Sequence, residues 1–90
     1  MKRSADFLLS EVAGTRVLIP IGDAATTFPG MVTMNDTGAY IWELLEQEKT
    51  VDALAAALMD RYAVDQETAR GDVEAFVGKL IPIGAILETE

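Results

Sequence analysis

The stretch MVTMNDTGAYIWELLEQ, residues 31–47, reads as a short strand that runs directly into an amphipathic helix. Its first four residues are apolar or β-branched, and no loop separates them from the helix. Asn35 or Asp36 supplies a side-chain oxygen that can cap the first free backbone N–H groups of the helix. Ile41 and Trp42 then lie on one apolar face at helical spacing. The sequence before this corner is typical of strands and the sequence after it of helices, which predicts an α+β fold.

Two apolar runs precede the corner, at residues 6–12 and 16–21. They flank the turn sequence Ala13-Gly14-Thr15, and so short a connection predicts an antiparallel hairpin. Pro20 cannot donate a hydrogen bond to a neighbouring strand, so we expect it at an edge or at the end of its strand. Residues 22–30 read as an irregular segment that contains Phe28, and residues 31–34 as the third strand.

Three helices are predicted after the third strand, the first over residues 36–47. Thr50 is a suitable N-cap for the second helix, which ends near residues 61–62. Asp65 is a suitable N-cap for the third, which runs to about residue 80, and residues 85–88 form a short extended tail. We therefore expect a single domain over residues 1–90. A small three-stranded antiparallel sheet (about 6–34) is followed by a three-helix bundle (about 36–80), an arrangement that resembles a winged helix.

The composition excludes several classes of function. The net charge is −8, from 15 acidic and 7 basic residues, which works against binding nucleic acid or anionic membranes. The chain has no cysteine and no histidine, and so lacks the commonest metal ligands and the commonest general base. Ser4 and Ser10 have no histidine to activate them, and the acid pairs on the helices are typical of solvated faces. We expect no catalytic residues, no metal and no cofactor.

The sequence also indicates where the protein resides. Residues 1–12 hold two basic residues but no apolar run of the length found in a signal peptide. No segment approaches the roughly 20 apolar residues needed to span a bilayer. We expect a cytoplasmic protein.

Binding is the function that remains, and the small sheet suggests how it works. Three short strands leave exposed edges, and an extended peptide can add to such an edge as a further strand. If residues 31–34 form an edge, the third helix could be the other wall of a groove. Met31, Met34, Phe76 and Val77 would then line this groove, although for any one of them alone a position in the core is favoured.

The chain resembles the PqqD-like family, also called RiPP recognition elements. Members commonly show a strand, an Asn-x-Thr-Gly corner and an x-Ile-Trp-x-Leu-Leu helix, then Thr-Val-x-x-Leu, Tyr-x-Val-Asp, Asp-Val-x-x-Phe and a final Gly-Ala-Ile-Leu. These motifs occur in this order within MVTMNDTGAYIWELLEQEKTVDALAAALMDRYAVDQETARGDVEAFVGKLIPIGAILE, residues 31–88. The hairpin from Phe7 to Pro20 is also similar, so the resemblance covers almost the whole chain.

The resemblance implies a non-catalytic domain that binds the leader segment of a ribosomally made precursor peptide. Such domains present the leader to a modifying enzyme, often a radical SAM protein, which here would be a separate partner. The leader adds to the sheet between the third strand and the third helix. On this chain that groove lies between residues 28–34 and 68–80, which implies these peptide-binding residues: Phe28, Met31, Val32, Thr33, Met34, Ala69, Asp72, Val73, Phe76, Val77 and Leu80.

Two alternative functions stay open on the sequence. The order of the helices permits a DNA-binding winged helix, but the third helix has only two basic residues, Arg70 and Lys79, to contact phosphates. A homodimer in which edge strands pair between two copies is the other alternative. If the third strand is the docking edge, Val32→Pro should weaken leader binding more than it weakens folding.

Overall fold

A computed structural model describes residues 1–27 and 30–88. Its strands are β1 (Lys2–Arg3), β2 (Phe7–Val12), β3 (Thr15–Pro20), β4 (Val32–Met34) and β5 (Ile86–Leu87). Its helices are α1 (Ala24–Thr27), α2 (Asp36–Leu44), α3 (Val51–Arg61) and α4 (Gln66–Leu80). The antiparallel sheet β2-β3-β4 precedes the three long helices, which confirms the α+β prediction. The short helix α1 lies in the segment that the sequence predicts to be irregular.

The hairpin of β2 and β3 closes through a two-residue loop. Val12 pairs with Thr15, so the loop consists of Ala13 and Gly14. Both loop residues have positive φ angles, 53° and 81°. Two positive φ angles define a type I′ turn, whose twist matches that of the flanking strands. Pro20 lies at the end of β3, as predicted.

Each long helix begins at a side chain that caps it. Asn35 accepts a hydrogen bond from the backbone N–H of Gly38 at 2.7 Å, so Asn35 and not Asp36 caps α2. Thr50 caps α3 and Asp65 caps α4, as predicted. Hydrogen bonding from Thr68 holds the pKa of Asp65 below its usual value of 3.8. Helix α2 ends at Leu44, three residues before its predicted end, and residues 45–47 form a turn.

The core lies between the inner face of the sheet and the three long helices. Trp42 is 2% exposed and belongs to the apolar face of α2 that the sequence predicts. Leu18 of β3 and Leu45, which follows α2, are fully buried in the same cluster. Helix α3 contributes Leu54 and Leu58 to this cluster. These contacts pack the sheet against the three long helices.

A second, two-stranded sheet joins the two ends of the described chain. β1 pairs antiparallel with β5, with Arg3 opposite Ile86. The backbone N–H of Ser4 donates to the carbonyl of Ala85 at 2.8 Å, and that of Arg3 to the carbonyl of Leu45 at 3.0 Å. The sequence predicts an extended tail here but not its partner strand. None of the described helices is long and apolar enough to cross a membrane.

Candidate functional site

A groove of about 270 Å³ lies between β4 and α4. The start of α2 closes it at one side. Its apolar lining residues are Val32, Met34, Gly38, Ile41, Ala75, Phe76 and Leu80, and its polar ones are Thr33, Asn35, Thr37, Asp72 and Lys79. The open edge of β4 therefore runs along one wall of a groove with a mixed polar and apolar lining, and helix α4 forms the other wall.

The type I′ turn determines which backbone groups of β3 point toward β4. In a two-residue hairpin the residues that flank the loop exchange both backbone hydrogen bonds, and along antiparallel strands such pairs alternate with non-bonded pairs. Val12 and Thr15 flank the loop, so Thr15, Val17 and Ile19 point their backbone groups toward β2. The even-numbered residues, including Arg16 and Leu18, point theirs toward β4.

The register of β4 then identifies Thr33 as the open backbone position. Arg16 pairs with Met34 and Leu18 with Val32, so Val32 and Met34 direct their N–H and C=O groups toward β3. Thr33 lies between them and points its N–H and C=O the other way, where the described residues form no further strand. The extended residue Asn35 follows, but its carbonyl already accepts a hydrogen bond from Ala39 at 3.0 Å. Thr33 is thus the β4 residue that offers both a donor and an acceptor to the groove.

The structure brings six of the predicted site residues together around the groove. They are Val32, Thr33, Met34, Asp72, Phe76 and Leu80.

The other predicted residues lie elsewhere. Ala69 and Val73 are fully buried in the core and Val77 is 7% exposed, so these three face the helix bundle and not the groove. Met31 is 63% exposed and lies outside the lining. Phe28 lies outside the described residues.

Several lining residues were missed from the sequence. On α4 these are Ala75 and Lys79, and at the corner they include Thr37 and Gly38. Asp72, Ala75 and Lys79 recur at intervals of three and four, so they share a helix face beside the buried stripe. The sequence shows this spacing, but the prediction followed the apolar stripe of α4, which forms the core face of the helix.

Gly38 allows the aromatic wall of the groove to pack closely against α2. A Cβ atom at position 38 would lie 3.1 Å from Cε1 and 3.3 Å from Cδ1 of the Phe76 ring. It would also lie 3.1 Å from Oδ1 of Asn35, the atom that caps α2. The absence of a side chain at Gly38 therefore fixes how far the half-buried Phe76 ring extends into the groove.

The α4 wall carries one acidic and one basic side chain, Asp72 and Lys79, both exposed. Neither forms an ion pair with any described residue. Arg70, the other basic residue of α4, is bound by Asp52 and by Glu74, whose Oε1 lies 3.3 Å from its Nε. Among the described residues no group of three carboxylates is placed to hold a metal ion.

Comparisons with known proteins extend over nearly all of the chain. The sequence profile of the family described as coenzyme PQQ synthesis protein D (PqqD) matches residues 7–86. A search of curated proteins finds no significant match. A solved structure, described as TbiB1 in complex with the TbiA(beta) leader peptide, matches with a TM-score of 0.77 and 22% identity. That match covers 100% of this chain and 99% of the other, and it shows that the two share a fold.

Proposed function

The chain belongs to the PqqD family, and from this premise we propose that it binds the leader segment of a ribosomally synthesised precursor peptide. The leader adds to the sheet as a strand beside β4 and lies in the groove against α4. The observation that carries this proposal is the outward N–H and C=O of Thr33, which face a groove lined by both apolar and polar side chains. Backbone pairing with an edge strand supplies sequence-independent affinity, and pockets for alternate side chains supply specificity.

The matching solved structure supports the same assignment. TbiB1 was solved with a leader peptide bound, and its fold extends over the whole of this chain. At 22% identity the likeness concerns the backbone, which is the part of the molecule that strand addition uses. The side chains that line the groove of this chain determine which leader side chains it binds, and the likeness to TbiB1 does not extend to them.

We propose that the whole of residues 1–90 acts as one non-catalytic domain in the cytoplasm, where precursor peptides are made. In this proposal the domain holds the leader while a separate enzyme, of the radical SAM type, modifies the rest of the precursor. The likeness to a winged helix stays a prediction. Two observations disfavour DNA binding by α4. Arg70 is ion-paired with Asp52 and Glu74, and Lys79 is the one basic side chain among the described residues that line the groove.

Self-association is a second candidate function, favoured by the two outer strands of the sheet β2-β3-β4. The outer edge of β4 could pair with the same edge of another copy. Because that edge is also the proposed leader site, leader binding and dimer formation would compete. Light scattering with and without leader would reveal this as a dimer that dissociates when leader is added.

Isothermal titration with the full leader of a candidate precursor, a short peptide encoded by a neighbouring gene, tests the proposal. We expect saturable binding with one leader per domain, and no binding of a scrambled leader of the same composition. Circular dichroism of the same sample establishes that the protein is folded. Folded protein that binds neither the leader nor the intact precursor would refute the proposed function.

A further inference from the structure

Two charged side chains of α4 line the groove without an ion pair to any described residue, and they suggest which leaders this groove selects. Asp72, Phe76 and Lys79 all line the groove, and they follow one another along one face of α4. A rise of about 1.5 Å per residue places Phe76 about 6 Å beyond Asp72 and Lys79 about 4.5 Å beyond Phe76. The groove wall therefore presents a carboxylate, an aromatic ring and an ammonium group in sequence, over about 10.5 Å.

The geometry of an added strand determines which leader residues can meet this wall. The residue opposite Thr33 has its side chain on the same face as Thr33, which is exposed. Its two neighbours point to the opposite face, as Val32 and Met34 do, and thus into the groove. Inward-pointing residues recur every second position, about 6.6 Å apart. Three successive inward positions of the leader span about 13 Å, whereas Asp72 and Lys79 lie about 10.5 Å apart along α4. The long side chain of Lys79 can bridge this difference.

We propose, on the basis of the proposed function, that this domain selects leaders with a charged–x–apolar–x–charged motif. One of the two charged residues is basic and the other is acidic. The basic residue faces Asp72, the apolar residue contacts Phe76, and the acidic residue faces Lys79. The order of the two charges along the leader follows from the direction of the added strand. Asp72 and Lys79 are therefore specificity-determining residues of the groove.

The charges around the groove favour this arrangement. Arg70 is already paired with Asp52 and Glu74, so it does not compete for an acidic leader residue. The protein has a net charge of −8, which on its own would attract only basic peptides. A requirement for an acidic leader residue at a fixed position would therefore have to come from Lys79.

Selection from a random 12-residue peptide library by mRNA display tests the motif. Wild-type protein should enrich a basic and an acidic residue four positions apart with an apolar residue between them. The double variant D72K/K79D, which keeps the net charge, should enrich the same motif with the two charges exchanged. The matched control D60K/K49D, which exchanges two charges outside the groove lining, should enrich the wild-type order.

Affinities of single peptides give the expected size of the effect. Exposed ion pairs change binding by about 1.4- to 5-fold each. Exchanging the two charges of an enriched peptide should therefore weaken its binding to wild type by roughly 2- to 25-fold. The variant D72K/K79D should restore the binding of this exchanged peptide. Moving one charge by a single position should weaken binding as well, because that side chain then points away from the groove.

The outcomes separate this inference from the function on which it rests. Enriched peptides without a charge pattern, or a pattern that D72K/K79D leaves unchanged, would overturn the motif and leave leader binding intact. A folded protein that enriches no peptide and does not bind the leader would overturn both.

Discussion

A proline at Thr33 should impair leader binding and spare the fold, whereas a proline at Val32 should do the reverse. The register of β4 places the Val32 N–H toward β3 and the Thr33 N–H toward the groove. Proline removes the backbone donor at its own position. The same substitution at two adjacent residues therefore removes either an internal hydrogen bond or a hydrogen bond to the leader. This reverses the expectation from the sequence, in which Val32→Pro was the variant expected to affect binding.

The structure sets the size of each effect. Loss of one donor leaves its acceptor unsatisfied, which costs about 1–3 kcal/mol where the site excludes water. For Thr33→Pro that acceptor is a carbonyl of the leader, so the Kd should rise between about 5-fold and 150-fold. For Val32→Pro the acceptor is the carbonyl of Leu18, and the same loss falls on folding. In a domain of this size each kcal/mol lowers the Tm by about 4–8 °C.

Two measurements on three variants separate the effects. Thermal unfolding should place Thr33→Pro close to wild type and Val32→Pro well below it. Titration with the leader, at a temperature where all variants are folded, should show weak binding for Thr33→Pro. Thr33→Ala is the matched control, because it removes the side chain and keeps the N–H, and it should bind like wild type.

Wild-type affinity in a folded Thr33→Pro variant would refute the strand-addition reasoning at this edge. A Thr33→Pro variant destabilised as strongly as Val32→Pro would refute the hydrogen-bond alternation inferred from the hairpin. Equal loss of binding in Thr33→Ala would show that the threonine side chain, and not the backbone, contacts the leader.

Three further predictions follow from the same structure. Ala13→Asn should raise the free energy of unfolding by about 1 kcal/mol, measured by urea denaturation, because Ala13 has a positive φ that asparagine adopts more readily. Gly38→Ala should weaken leader binding in a titration, since the added Cβ would lie 3.1 Å from Cε1 of Phe76 and force this ring of the groove wall to shift. Gly71→Ala, where no described atom lies within 4 Å of the added Cβ, should leave binding unchanged and stabilise α4 by about 1 kcal/mol. The lowered pKa of Asp65 means that its charged carboxylate stabilises the fold fully above pH 3.8, and that this stabilisation is lost as the pH falls through the folded pKa. The difference in Tm between wild type and Asp65→Ala should therefore become smaller in acid.

Local signals in the sequence predicted most of the fold. The caps Thr50 and Asp65 begin α3 and α4 where the sequence places them, because a side-chain oxygen at the N-cap acts within its own first turn. The β1–β5 pair was not predicted, since it joins Arg3 to Ile86 across nearly the whole chain and each strand has only two residues. A strand this short carries no alternation of its own, and only the packed core brings the two segments together.

The site was predicted in outline and not in detail, for a physical reason. Helical spacing predicts that α4 has a buried stripe, but it does not say where the stripe ends and the groove face begins. Val73 and Phe76 are only three residues apart, yet Val73 is fully buried while Phe76 lines the groove. Phe76 packs against Gly38 of α2, and no pattern within α4 encodes that contact with another element.

The shortness of β4 determines how this groove can be specific. β4 has three residues, and Thr33 alone directs both backbone groups outward, so backbone pairing at this edge rests on about two hydrogen bonds. Each contributes about 0.5–1.5 kcal/mol, whereas a micromolar complex requires about 8 kcal/mol. The remainder must come from side chains that enter the groove between β4 and α4. A second copy of β4 would offer the same two hydrogen bonds, so backbone pairing alone does not distinguish a leader from self-association. The choice of leader therefore depends on the side chains of α4 that line the groove, and not on the strand.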